Sequence, residues 1–137
     1  TTVFDSMLYQ KRKEQFEHIL KVYRHWNVNS NEILKIIYGY YASRLVQCVQ
    51  EIAISNNSKE DKKKMISNIL NDKLSYKAIR QGKIESKILS IAVIPMKIKS
   101  VTLCIYMGRL IGFVKINMAS LFYKIKSKSV NKAKVIN

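Results

Sequence analysis

The sequence predicts an all-α protein, an irregular helical bundle of four to six helices that ends in a basic, apolar C-terminal helical hairpin. Three observations carry this expectation. The 137 residues contain only four Gly and one Pro, too few turn-formers for a β fold. Large apolar residues recur at steps of three and four, the helical period. Short Asn/Ser clusters separate the periodic segments. With 47% hydrophobic residues the chain has material for a packed core. Its length allows one domain or part of a larger protein, and the opening on Thr1 rather than Met keeps both readings open.

The first helix is expected over 5–26. Asp5 or Ser6 caps it, and Phe16, Ile19, Tyr23 and Trp26 recur along one face. Asn27 to Asn31 breaks the pattern, and Asn29 with Glu32 three residues on forms a capping box for the next helix. That second helix runs to about Ser55. Its stripe is Ile33, Ile37, Tyr41, Leu45, Cys48 and Ile52, widened by Ile36, Tyr40 and Val49, which suits the centre of a bundle. Ser58 caps a third helix to about Asn71, with Glu60 and Asp61 favourable in its first turn and Met65, Ile66, Ile69 and Leu70 buried. Leu74 and Ile79 mark one or two further turns before Gly82.

Past Gly82 the character changes. Ile84 to Val93 reads as helix, Pro95 ends or kinks it, and Ser100 caps a last helix from Val101 to about Lys126. The expected organisation is a bundle over 1–82, basic amphipathic docking helices over 83–126, and a frayed polar tail over 127–137. Cys48 and Cys104 both fall in apolar stretches and read as buried thiols in a reducing compartment.

Charge is strongly segregated. The formal net charge is +16, and all nine acids lie at or before Glu85. The 52 residues from Ser86 onward hold ten Lys or Arg and no acid. AT-rich coding accounts for a scattered excess of Lys, but not for an acid-free half. Cations around an apolar sequence fit an anionic membrane surface. The candidate docking residues are Lys87, Lys97, Lys99, Arg109, Lys115, Lys124 and Lys126. A membrane span fits less well, because the apolar run from Val101 to Val114 has 14 residues and contains Arg109, whereas a span needs about 20. Lying in the interface lets these side chains snorkel.

Catalytic chemistry is missing. His18 and His25 are seven apart, with Glu14 four before His18, a spacing that reads as a solvated pair rather than a metal site. No Cys-x-x-Cys, Gly-rich phosphate loop or Gly-x-Ser-x-Gly occurs. No catalytic, cofactor-binding or metal-binding residue is therefore assigned. Nucleic acid is the standard partner for so basic a chain. It fits less well here, because the cations are mostly Lys, the terminal basic region is oily, and Tyr38, Tyr40 and Tyr41 lie in the most apolar helix.

The segment Ile94-Pro95-Met96-Lys97-Ile98-Lys99-Ser100-Val101 continues through Leu103-Cys104-Ile105-Tyr106-Met107-Gly108-Arg109 to Leu121-Phe122-Tyr123-Lys124-Ile125-Lys126. It resembles the C-terminal helical region of bacterial family-two glycosyltransferases of the GT-A type, which build capsules and exopolysaccharides. Tyr40-Tyr41-x-x-Arg44 and Asn56-Asn57-Ser58-Lys59 also look like that region, and Thr1-Thr2-Val3-Phe4 looks like the exit from a catalytic domain. The resemblance implies a non-catalytic accessory part, with an upstream GT-A domain as its partner. The parent would transfer a sugar from a nucleotide donor to a lipid-linked glycan at the cytoplasmic face of the cell membrane. The family's Asp-x-Asp metal motif and its catalytic-base carboxylate have no counterpart in these residues, so no active-site role carries over. The competing expectation is a protein-interaction module, with a homodimer through the oily C-terminal helices.

Overall fold

A computed structural model describes residues 4–26 and 30–136, with side chains described as far as Ser120 apart from Ile116. The protein is all-α. In chain order it has α1 (Leu8–His25), α2 (Asn31–Ile54), α3 (Lys59–Asn71), α4 (Lys73–Gln81), α5 (Lys87–Ala92), the single turn α6 (Ile94–Lys97) and α7 (Val101–Ile136). No strand occurs among the described residues. Helix α2 is the central element and touches α1, α3, α4, α5 and α7, its longest contact being with α7.

The Asp5 carboxylate accepts from the Met7 N–H at 2.9 Å, so it closes the turn ahead of α1, which starts three residues later than expected. Of the expected stripe on α1, Phe16 is buried and Tyr23 half-buried, and Leu20 joins Phe16 in the core. Ile19 is exposed and Trp26, just past the helix end, is 73% exposed. The step of four from Phe16 to Leu20 follows the α-helical turn more closely than the step of three to Ile19. The Phe16 ring stacks on Tyr41 of α2, centroids 4.1 Å apart and nearly parallel.

Ser30 stands at the N-cap of α2; the expected capping residue Asn29 lies outside the described residues. Tyr41, Leu45, Cys48, Val49 and Ile52 are buried as expected, together with Tyr38, Ala42, Val46 and Ala53. Ile33, Ile36 and Tyr40 are exposed instead, since the helix's first turns have neighbours on one side only. Tyr40 instead carries Arg44, whose Nε and Nη2 donate to its hydroxyl at 3.1 and 2.7 Å.

Ser58 caps α3, its Oγ accepting from the Asp61 N–H at 3.2 Å. Lys62, one turn in, is buried and donates to the Ala53 carbonyl at 3.0 Å, a cation at the end of α2 where the helix dipole favours it. Asp72 caps α4 through the Ser75 N–H at 3.1 Å and pairs with Lys13 of α1. Ser75 is fully buried, and its Oγ lies 2.9 Å from the Tyr9 hydroxyl and 3.0 Å from that of Tyr41, tying α1, α2 and α4 together.

An extended segment then crosses α2 at very close range. A Cβ on Gly39 would lie 2.0 Å from the Lys83 carbonyl oxygen, and one on Gly82 would lie 2.7 Å from the Gly39 nitrogen. The Lys83 N–H donates to the Lys35 carbonyl at 3.0 Å across this contact. Only a pair of glycines lets the two backbones meet so tightly.

Ser86 caps α5 through the Leu89 N–H at 3.4 Å, three residues after the expected start at Ile84. Pro95 sits in the first turn of α6, where its missing N–H has no partner to lose, so it begins a turn as well as ending one. Ser100 accepts from the Leu103 N–H at 3.3 Å and opens α7. The helix continues to Ile136, ten residues past the expected end at Lys126, so the segment read as a frayed tail extends it. Neither Gly nor Pro follows Gly112, and nothing in the sequence stops the helix earlier.

Candidate membrane-docking face

The first part of α7, Val101 to Val114, carries apolar residues on both sides, and the two sides do different things. Cys104, Ile105, Gly108, Ile111 and Gly112 face inward and are buried. A Cβ on Gly108 would come within 2.7 Å of the Ala53 Cβ, so this glycine sets the close contact of α7 with α2. The opposite side shows Leu103, Tyr106, Leu110, Phe113 and Val114, each 40% exposed or more, at helical steps of three and four.

On α5 and α6 a second row, Ile88, Ile91, Ile94 and Ile98, is equally exposed. Ala92 and Met96 from the inner side of that row pack with Cys104, Met107 and Ile111 of α7. Leu103, Leu110 and Val114 follow on the same flank of α7 as Met107, and both α5 and α6 contact α7. Large exposed apolar residues in this number on neighbouring helices mark a candidate interaction face.

The candidate cations divide into groups. Lys87, Lys97, Lys99 and Arg109 are exposed, Lys99 with its ammonium over the Tyr76 ring of α4. Lys115 turns to the α2 side, its Nζ donating to Gln50 Oε1 at 3.0 Å, and so lies off the outer face. Lys124 and Lys126 belong to the part of α7 whose side chains are not described. No acid occurs anywhere in this half of the chain to compensate these charges.

The 20-residue stretch Val101–Ser120 is long and apolar enough to cross a bilayer by length and composition. Two features favour the interface over a span. Arg109 falls near its middle, where insertion scales charge about 2.5–3.5 kcal/mol, and the inner side is already packed on α2 through Gly108.

Sequence reasoning missed a group of cations on α4. Lys73, Tyr76, Lys77, Arg80 and Gln81 line an open concavity of about 470 Å³. The i, i+4 spacing of Tyr76 with Arg80, and of Lys73 with Lys77, was the available signal.

Burial pushes the Cys48 and Cys104 thiols up to about 11. Among the described residues no three His, Cys, Asp or Glu side chains converge as a metal site would require, and His18 and His25 are exposed. Comparison with protein-family models, with curated proteins and with solved structures finds no match. The likeness to family-two glycosyltransferases accordingly rests on the residues quoted for it.

Proposed function

We propose that this chain docks on anionic membrane through the outer face of α5, α6 and α7. The observation that carries the reading is two exposed apolar rows on helices that contact one another, with Lys87, Lys97, Lys99 and Arg109 exposed on the same elements and their turns, in a 52-residue stretch without a single acid. Apolar side chains enter the acyl boundary while the cations meet headgroup phosphates. At about 1 kcal/mol per cation near an anionic leaflet, these four contribute about 4 kcal/mol, or roughly a thousandfold in partitioning. The same charges oppose self-association, because two copies of the face would bring like charges together without relief. By its resemblance we extend the reading to an accessory region that keeps a glycosyltransferase at the cytoplasmic membrane face, near a lipid-linked acceptor.

Vesicle flotation tests the docking. The chain is expected to float with vesicles containing phosphatidylglycerol and to remain behind with phosphatidylcholine alone. Leu110→Glu with Phe113→Glu abolishes flotation, and Lys87→Glu with Arg109→Glu weakens it steeply, both with unchanged far-UV circular dichroism. Equal partitioning on the two vesicle types sinks the reading, and a concentration-dependent dimer indifferent to lipid replaces it with the homodimer. The transferase extension has its own test in the coding sequence upstream of Thr1. A GT-A domain with an Asp-x-Asp supports it, and a start codon there removes it.

A further inference from the structure

We infer that the concavity on α4 is a binding site for phosphate, preferring a phosphomonoester or polyphosphate to a singly charged anion. Four cations gather about one tyrosine there. Lys73, Lys77 and Arg80 line the hollow with Tyr76, and Lys99 reaches the same ring from the turn after α6. The Tyr76 hydroxyl donates to the Lys97 carbonyl at 2.8 Å, which fixes the ring between α4 and that turn. On the fixed ring the Lys99 Nζ lies 4.3 Å from the centroid and the Arg80 Cζ 5.9 Å. Lys77 is placed over the ring of Tyr38 at 5.6 Å. Aromatic faces thus hold the cations in position without neutralising them.

Among the described residues no carboxylate pairs with these cations. The ion pairs among the described residues are Lys11 with Asp5 and Lys13 with Asp72. Asp72, beside Lys73 in the chain, is thereby engaged by Lys13 and by the cap of α4. Glu85 is exposed in the segment between α4 and α5 and forms no ion pair with a described residue. Positive charge gathered this densely repels itself until an anion arrives, and several ammonium groups beside a guanidinium match a multiply charged phosphate better than a lone carboxylate.

The backbone supplies an independent observation. Lys99 has φ 55°, the left-handed conformation that glycine takes freely. It closes a Schellman turn, its N–H donating to the Met96 carbonyl at 3.1 Å and the Ser100 N–H to the Pro95 carbonyl at 3.0 Å. A lysine at the position where glycine is favoured directs its ammonium over Tyr76, and strain kept in this way is typical of binding sites.

Isothermal titration calorimetry of the full chain with inorganic tripolyphosphate at low salt tests the site. Saturable one-to-one binding is expected. The pair Lys77→Gln and Arg80→Gln weakens it about tenfold or more, while Lys63→Gln with Lys64→Gln, an equal charge change on exposed α3, leaves it within about twofold. Equal weakening by both pairs, or no saturable binding, overturns the inference. Leu110→Glu with Phe113→Glu should leave tripolyphosphate binding intact while abolishing flotation, so this inference and the docking reading fail separately. Vesicles then distinguish the source of the phosphate. Preference for phosphatidic acid over phosphatidylglycerol at equal surface charge, lost in the α4 pair, assigns a lipid headgroup. Tripolyphosphate binding without that preference assigns a soluble phosphate.

Discussion

Gly39→Ala sets two opposing effects against each other at the contact between α2 and the segment leading into the C-terminal half. Intrinsic propensity alone says the variant gains about 1 kcal/mol, because Ala is the better residue inside a helix. The space says otherwise. The new Cβ would meet the Lys83 carbonyl oxygen at 2.0 Å, its carbon at 2.9 Å and its nitrogen at 3.0 Å. All three are backbone atoms, so no side-chain rotation relieves the clash. The segment must retreat by more than 1 Å for ordinary contact, which breaks the Lys83 N–H bond to the Lys35 carbonyl and lifts Gly82 from Gly39. Overpacking costs about 1–3 kcal/mol and the hydrogen bond about 1 kcal/mol more. Set against the propensity gain, the net loss is about 1–3 kcal/mol. Gly112→Ala is the matched control. Its Cβ would meet only the Cγ2 of the exposed Ile54 at 3.1 Å and Gln50 Nε2 at 3.9 Å, both movable side-chain atoms. That variant is expected to be neutral or more stable by up to about 1 kcal/mol. Urea unfolding followed by circular dichroism reads both. A Gly39→Ala midpoint at or above wild type would refute the close crossing.

Ser75→Ala removes the hydroxyl shared by Tyr9 and Tyr41 and leaves two phenols without that partner, at a cost of about 1–3 kcal/mol in the same unfolding assay. Burial acts to raise the Asp72 carboxyl, but the Lys13 ammonium and the Ser75 N–H outweigh it and hold the group below its ordinary value. Its stabilising contribution is therefore present above the unfolded carboxylate value of about 3.9 and is lost as pH falls through the lower folded value. Asp72→Asn should flatten the fall in urea midpoint between about pH 5 and pH 2.5. With both thiols buried and pushed up to about 11, Cys48 and Cys104 should resist a thiol-specific disulfide reagent at pH 8 in the native protein and react promptly in denaturant.

The helices and their boundaries were legible where a local signal fixes them. Ser58 and Ser100 accept the expected cap bonds, and the apolar positions of α3 and the middle of α2 are buried in the expected order. What escaped depends on neighbours distant in sequence. Ile36 and Tyr40 share the apolar character of Tyr41, yet only Tyr41 meets Phe16. Lys62 reads as one of four similar solvent cations on α3 until the end of α2 arrives beside it. Lys115 belongs by composition to the docking group, but helix rotation hands it to Gln50. The acid-free character of the docking face was visible in the sequence, whereas the hollow at Tyr76 needed α4 and the turn after α6 to be brought together.

Lys99 joins that hollow to the start of α7, and a pair of substitutions separates its backbone from its charge. In the left-handed region a side chain costs about 1–2 kcal/mol, which Lys99→Gly relieves while adding about 0.5–1 kcal/mol of unfolded-chain entropy. Loss of the ammonium from the Tyr76 face removes about 0.5–1 kcal/mol. The two nearly cancel, so Lys99→Gly should unfold close to wild type. Lys99→Ala keeps the backbone cost and loses the charge, and should fall below Lys99→Gly by about 0.5–1 kcal/mol. A Lys99→Gly variant less stable than Lys99→Ala by about 0.5–1 kcal/mol would mean that the turn carries no strain, only the entropy cost of glycine remaining. Tripolyphosphate adds the functional half of the comparison. A ligand bound to the folded state alone raises stability by linkage, so its stabilisation should shrink by the same amount in both variants, because both have lost the same ammonium. Unchanged stabilisation in both would leave Tyr76, Lys77 and Arg80 as the site and Lys99 as a turn residue only.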